Sequence, residues 1–295
     1  MHITRVVFEG GIEVRSDNDR WTISNVSSTT DVVYSSLRDA TAGLAPLRPI
    51  LVTEQRDFGG DLITLLRCDG GQSFNILVSD FINRPHIGET LFPAYHLFYL
   101  VGAVGYHCQR LAEHYAQIAA KYHEIQRIPG LQDSGDRGMF SYQTEPYYEF
   151  DSLIGAARRS YDCTRYLLWP RFGSRTGYTP RSLKKLLEVD SQLPAALREQ
   201  LTNSWQNFGQ MLTHYRDCIH HYVPVDFGLA SAYMSRHQVG AWTTMLRIPD
   251  NPEVRSKRRF TFELNRDALT YGWELSNEIL AISTAVVNAV APRQQ

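Results

Sequence analysis

Hydrophobic positions along the chain change period near residue 90. Before it they alternate with polar ones: Ile3-Thr4-Arg5-Val6-Val7-Phe8 and Ile12-Glu13-Val14-Arg15 flank Gly10-Gly11, while the runs 62–66 and 74–78 flank Asp69-Gly70-Gly71. Alternation broken by glycine turns predicts two β-hairpins. Residues 1–90 therefore read as a small β-rich lobe, with a short helix near 32–42. From residue 92 the apolar steps become three and four. Leu97, Leu100, Val101, Val104, Leu111, Tyr115 and Ile118 predict a helix over 93–127, closed by Pro129-Gly130. Phe150, Leu153, Ile154, Ala157, Tyr161 and Leu168 predict a second, stopped at Trp169-Pro170. Thr179-Pro180 is read as the cap of a third, short helix. A fourth runs from about residue 194 to a stop before Pro224, and a last one spans 266–290. Between them, 239–248 and 258–264 read as strands of a hairpin around Pro249-Asp250-Asn251-Pro252. The fold class is α+β. Residues 91–295 form a mainly α-helical bundle, with the β-rich N-terminal lobe at 1–90 and a C-terminal β-hairpin insertion at about 239–264.

The fourth helix carries the densest chemistry. Leu197, Leu201, Trp205, Phe208, Leu212, Tyr215, Ile219 and Tyr222 form its apolar stripe. At 100° per residue that stripe leaves Asn203, Gln206, Gln210, His214, Asp217 and His221 on the other face, with Arg216 between the two. Asp217 and His221 are four apart, a spacing at which the carboxylate reaches the imidazole and sets its tautomer.

Composition narrows the classes. The chain has 295 residues, 43% of them hydrophobic, 21% charged, and a formal net charge of −1. That length supports a sizeable core, and that charge gives no bulk attraction to nucleic acid, so a polyanion must meet a local basic patch. The four cysteines, Cys68, Cys108, Cys163 and Cys218, are far apart and lack CxxC spacing, which argues against a zinc ribbon and for reduced buried thiols. The first twenty residues hold no signal-peptide core, and no apolar run is long enough to span a bilayer. A cytoplasmic protein without membrane association is expected.

The string Arg216-Asp217-x-x-x-His221 resembles the signature of the HEPN superfamily, an arginine, a polar residue, a few variable positions and a histidine late on a bundle helix. The earlier helix, with Tyr147-Tyr148-Glu149-Phe150 leading to Ala156-Ala157-Arg158-Arg159-Ser160-Tyr161-Asp162, is similar to the family's preceding helix. The resemblance covers roughly 140–290 and implies a HEPN-like bundle. It also implies metal-independent endoribonuclease activity without a cofactor, of toxin or defence type, in a composite site between two copies of the chain. RNA is the implied substrate and an inhibitory antitoxin a further implied partner. In that reading His221 handles the proton of a ribose 2′-hydroxyl, Arg216 holds the scissile phosphate and Asp217 orients His221.

Other readings stand beside this one. Arg216, Asp217 and His221 also fit the solvated face of an amphipathic helix, and the same bundle fits a non-catalytic module that binds RNA, nucleotide or protein. His214, Asp217 and His221 could converge on a metal, with His107 or His114 adding a ligand, which would make a metal-dependent helical-bundle enzyme. His220 points to the edge of the stripe and reads as a core-edge histidine. Lys257, Arg258 and Arg259 read either as an RNA-backbone grip or as a solvated turn, and Arg158 and Arg159 either as RNA contacts or as partners of Asp162 and Glu149.

Overall fold

The computed structural model describes residues 2–8, 13–17, 20–24, 33–42, 49–58, 61–67, 91–126, 139–141, 144–173, 180–189, 192–225, 230–234 and 242–290. The N-terminal lobe is a six-stranded antiparallel sheet: β1 (His2–Phe8), β2 (Glu13–Asp17), β3 (Arg20–Ser24), β4 (Val33–Tyr34), β5 (Pro49–Phe58) and β6 (Asp61–Arg67), in the order β4-β3-β2-β1-β5-β6. The expected pairing of the first two strands is present, with Val6 opposite Val14. Strand β6 pairs with β5; residues 74–78, its expected hairpin partner, lie outside the described residues. The short helix is α1 (Leu37–Ala42). Glu13 is buried on β2 and bridged by Arg5 and Arg15. Burial pushes its carboxyl up, but the two guanidiniums outweigh that and hold it below the usual range. Arg5 also reaches Glu113 at 3.5 Å, tying the lobe to the first long helix.

That helix, α2 (Leu91–Gln126), packs along α3 (Glu145–Phe172) and α7 (Ala268–Val290). Leu97, Leu111, Phe150, Leu153, Leu212, Tyr215 and Trp273 meet in one core, as the three- and four-residue spacing requires. Tyr215 is its hub: its ring stands edge-on to Phe150 at 5.9 Å and its hydroxyl donates to the Pro249 carbonyl at 2.5 Å. A second anchor joins α2 to the start of α7. Tyr115 donates to Asp267 at 2.5 Å and accepts from the Leu246 and Leu269 amides, and Asp267 also accepts from the Thr270 amide in the first turn of α7.

Three boundaries depart from the expected ones. Helix α3 continues past Trp169-Pro170 to Phe172, because the proline falls in the last turn, where its missing N–H costs one bond and the Gly173 amide still reaches the Trp169 carbonyl at 2.8 Å. The short helix, α4 (Leu183–Glu188), is capped by Ser182, whose hydroxyl accepts from the Lys185 amide. The long fourth helix is two: α5 (Ala195–Ser204), a π-helical turn at Trp205–Gly209, then α6 (Gln210–His221). The Trp205 indole causes close approach there. A Cβ on Gly209 would stand 2.5 Å from the ring, so only glycine lets it lie against the backbone.

The C-terminal hairpin is also shifted. Strands β8 (Ala230–Met234) and β9 (Trp242–Met245) pair antiparallel, and β8 also pairs with β7 (Met139–Ser141). Residues 258–264 are not a strand. Pro249 and Pro252 remove ladder donors, and side chains take the backbone partners instead: Asn251 bridges the Arg259 carbonyl and Thr261 amide, and Asp250 accepts from the Leu264 amide. The result is a loop with two 3₁₀ turns, Pro252–Val254 and Lys257–Arg259.

Candidate functional site

Helix α6 ends where Pro224 prevents a further turn, and the Tyr222 and Val223 amides both close on the Cys218 carbonyl. The polar face is as expected: Asn203, Gln206, Gln210 and His221 are exposed, while His214 and Asp217 are partly so. Arg216 and His221 come together at this end, with guanidinium Nη1 3.0 Å from imidazole Nε2. Arginine can only donate, so Nε2 accepts and the ring proton sits on Nδ1. Asp217 does not hold the imidazole as expected. Its carboxylate accepts from the same Arg216 Nη1 at 3.0 Å, so arginine stands between acid and base.

Tyr222 leaves the apolar stripe and is exposed. Arg255 lies over its ring at 4.6 Å and donates to its hydroxyl at 2.9 Å. Arg255 has a left-handed backbone, φ 54°, at the end of the first 3₁₀ turn. A non-glycine residue held there by its surroundings brings a second guanidinium beside the motif.

His220 also departs from its expected place. It is exposed, not at the core edge, and its Nε2 looks onto Gly155 of α3, 3.8 Å from where a Cβ would sit. With Ile219 it forms one wall of a cleft of about 510 Å³ between α2, α3 and α6, which also holds Tyr99, His107, Asp151 and Arg159. Burial first, then the positive charge of Arg216 and of His221, lowers the His220 pKa, while Asp217 opposes. His107 donates through Nδ1 to the Glu149 carboxylate at 2.7 Å. Tyr99 is 70% exposed at the cleft rim. Only its lying on another helix hid this cleft from a one-helix reading.

The two basic pairs divide. Arg159 faces the cleft and approaches His96 at 3.5 Å. Arg158 is bound instead to Asp162 at 2.7 Å and lies 5.5 Å over the Trp205 ring, so its charge is spent within the bundle. Glu149 pairs with His107, not with the arginines. Lys257, Arg258 and Arg259 are exposed on the second 3₁₀ turn. Of the tyrosines near the motif, Tyr147 is buried and bonds the Arg247 carbonyl, whereas Tyr148 and Tyr222 are exposed.

His214, Asp217 and His221 do not form a metal set. His214 lines a separate cavity with Gln210 and Glu274, Asp217 and His221 both contact Arg216, and among the described residues no group of three or more His, Cys, Asp or Glu could hold a metal ion. The reason is the 1.5 Å rise per residue, which sets positions seven apart about 10 Å from each other. Among the described residues no helix is long and apolar enough to cross a membrane. Cys108, Cys163 and Cys218 are free and buried, as expected, and Cys68 lies outside the described residues. Compared with protein-family models, with curated proteins and with solved structures, the chain finds no significant match.

Proposed function

We propose that the chain is a metal-independent endoribonuclease with a HEPN-like helical bundle, cutting RNA at the Arg216–His221 pair. The observation that carries this reading is the 3.0 Å contact between an exposed guanidinium and an exposed imidazole whose ring proton is on the far nitrogen. A phosphate approaching Arg216 takes over its N–H and frees the Nε2 lone pair. His221 then removes the 2′-hydroxyl proton, O2′ attacks phosphorus, the P–O5′ bond breaks and the 5′-oxygen takes a proton. The products are a 2′,3′-cyclic phosphate and a 5′-hydroxyl, with no water consumed. DNA lacks the nucleophile.

The adjoining cleft supports the same reading. Its volume suits a nucleotide, Arg159 offers a phosphate contact, and Tyr99 offers a stacking face. In this reading the proton for the leaving group comes from His221 of a second copy, so the active species is a homodimer. A toxin or defence role, restrained by an antitoxin, follows from the resemblance of the motif alone.

The test is cleavage of a mixed RNA pool in EDTA by the parent chain, Arg216→Ala and His221→Ala, with end-group analysis. Cyclic phosphate ends from the parent and a loss of about 100-fold or more in each variant are expected. Equal rates in all three sink the nuclease reading.

A further inference from the structure

The solvent face of a helix is ordinarily charged, and that of α2 is aromatic. Tyr95, Tyr99, Gly102 and Tyr106 are exposed and spaced four, three and four, so they fall within about 60° of arc. Gly102 faces open space between the rings. Helix α3 repeats the spacing with Tyr148, Ser152, Gly155 and Arg159, and Tyr166 follows on the same side. Of the seven large apolar side chains exposed among the described residues, five are these tyrosines of α2 and α3. Apolar surface gathered in this way marks an interaction site rather than scattered exposure.

Two contacts set the helices antiparallel: His96 meets Arg159 at 3.5 Å, and His107 donates to Glu149 at 2.7 Å. Tyr99, Ser152, Gly155 and Arg159 then line one cleft. The seam becomes a groove with a floor of small residues and tyrosines on both banks, about 16 Å long from Tyr95 to Tyr106. It reaches the motif, because His220 forms the α6 wall and its ring centre lies 6.5 Å from that of His221.

Charge selects the occupant. Arg159 and Arg165 make no ion pair among the described residues. Arg165 lies 4.1 Å over the Tyr166 ring and donates to its hydroxyl and to the Asp162 carbonyl. Glu149 is engaged by His107, and Asp151, the one carboxylate of the cleft lining, keeps its Oδ1 buried. A second copy laid on this face about a two-fold axis would bring both arginines against their twins, a like-charge contact.

We infer that this groove carries single-stranded RNA to the Arg216–His221 pair, with bases stacked on the tyrosines and phosphates held at Arg159 and Arg165. The inference rests on the ribonuclease reading and adds the class of substrate. Tyrosine faces accept any base, so sequence preference is weak, and a duplex hides its base faces and is a poor ligand. The length of the groove suits about four nucleotides.

Fluorescence anisotropy of the full chain with a labelled 2′-O-methyl uridine strand of about twelve nucleotides tests this, since that strand has no 2′-hydroxyl to react. The single strand should bind, and its duplex at least about tenfold more weakly. Tyr99→Ala should weaken binding about tenfold and the triple variant Tyr95→Ala/Tyr99→Ala/Tyr106→Ala about 100-fold, whereas Tyr99→Phe keeps the ring and stays within about twofold. Arg159→Ala should reduce the log–log salt slope by about 0.7. The comparison of Tyr99→Ala with Tyr99→Phe still reads the ring if the triple variant unfolds. No single-strand binding at low salt, equal binding of the duplex, or unaltered affinity in the alanine variants overturns the inference. So does a triple variant that loses only self-association, which would give the face to a second copy. Tyrosine-dependent binding without cleavage of an unmodified RNA sinks the ribonuclease reading and leaves the groove standing; cleavage with affinity indifferent to the tyrosines sinks the groove alone.

Discussion

Arg216 donates to Nε2 of His221 across 3.0 Å while the same nitrogen donates to Asp217. One guanidinium thus holds the acid and the base of the motif apart. If this pair is the site, Arg216→Lys keeps a charge but loses the planar fork that spans both partners. Cleavage should fall about 10- to 100-fold, and because the side chains are half-buried or exposed, stability should change by no more than about 0.5 kcal/mol. Rates on an RNA pool and urea melts of the same samples check both halves. A stability loss equal to the activity loss would mark the pair as structural.

His220 supplies the pH signature. Its pKa is lowered, by burial first and by Arg216 and His221 next. The fold therefore binds fewer protons there than the unfolded chain, so the His220 contribution to stability is present above the free value of about 6.5 and is lost as pH falls through the lowered one. An NMR titration should give a His220 midpoint below that of a free histidine. Arg216→Ala should raise it, and Asp217→Asn, which removes the opposing carboxylate, should lower it further. A midpoint at or above the free value contradicts the arrangement.

Tyr115 and Asp267 anchor α7 on α2. Tyr115→Phe removes one donor to a buried carboxylate and one acceptor for the Leu269 amide. The expected cost is about 1–3 kcal/mol, the range for stranding a buried polar group. Chemical denaturation reads it. With a donor gone, the Asp267 carboxyl, already raised by burial, should rise further.

Gly209 permits the Trp205 indole to lie on the π-turn. Gly209→Ala should force the ring aside and cost about 1–3 kcal/mol, as overpacking does. Trp205 emission in a background with the other tryptophans replaced by phenylalanine should move to the red. An unchanged spectrum and melt would show that the turn relaxes without cost.

The buried thiols should be inert. Burial pushes Cys108 up to about 12 and Cys163 up to about 11, far from the thiolate range at neutral pH. Peptide mapping after iodoacetamide treatment of the native chain should find both unmodified, and both labelled in urea. Fast native labelling of Cys108 would contradict its burial on α2 against Ser276 of α7.

The sequence alone determined which faces are buried. Leu212 and Tyr215 turn inward and His214, Asp217 and His221 outward because helical periodicity is a property of one segment, although at the helix end Ile219 is only half-buried, Tyr222 is exposed and Cys218 is buried in their stead. The antiparallel start of the lobe was legible for the same reason, since alternation and a glycine turn are local. Only the tertiary structure decided what those faces meet. The packing of α2 and α3 against α6 sets His220 beside Gly155 in a cleft; Asp162 and Trp205 take Arg158 out of use; Asn251 and Asp250 replace an expected strand with a loop. Spacing along a helix fixes the direction of a side chain, but a partner from another helix is set by how the elements pack. The π-turn shows the limit most plainly: the Gln210 amide reaches back five residues to the Trp205 carbonyl, a bond the apolar period does not encode, and one expected helix becomes two.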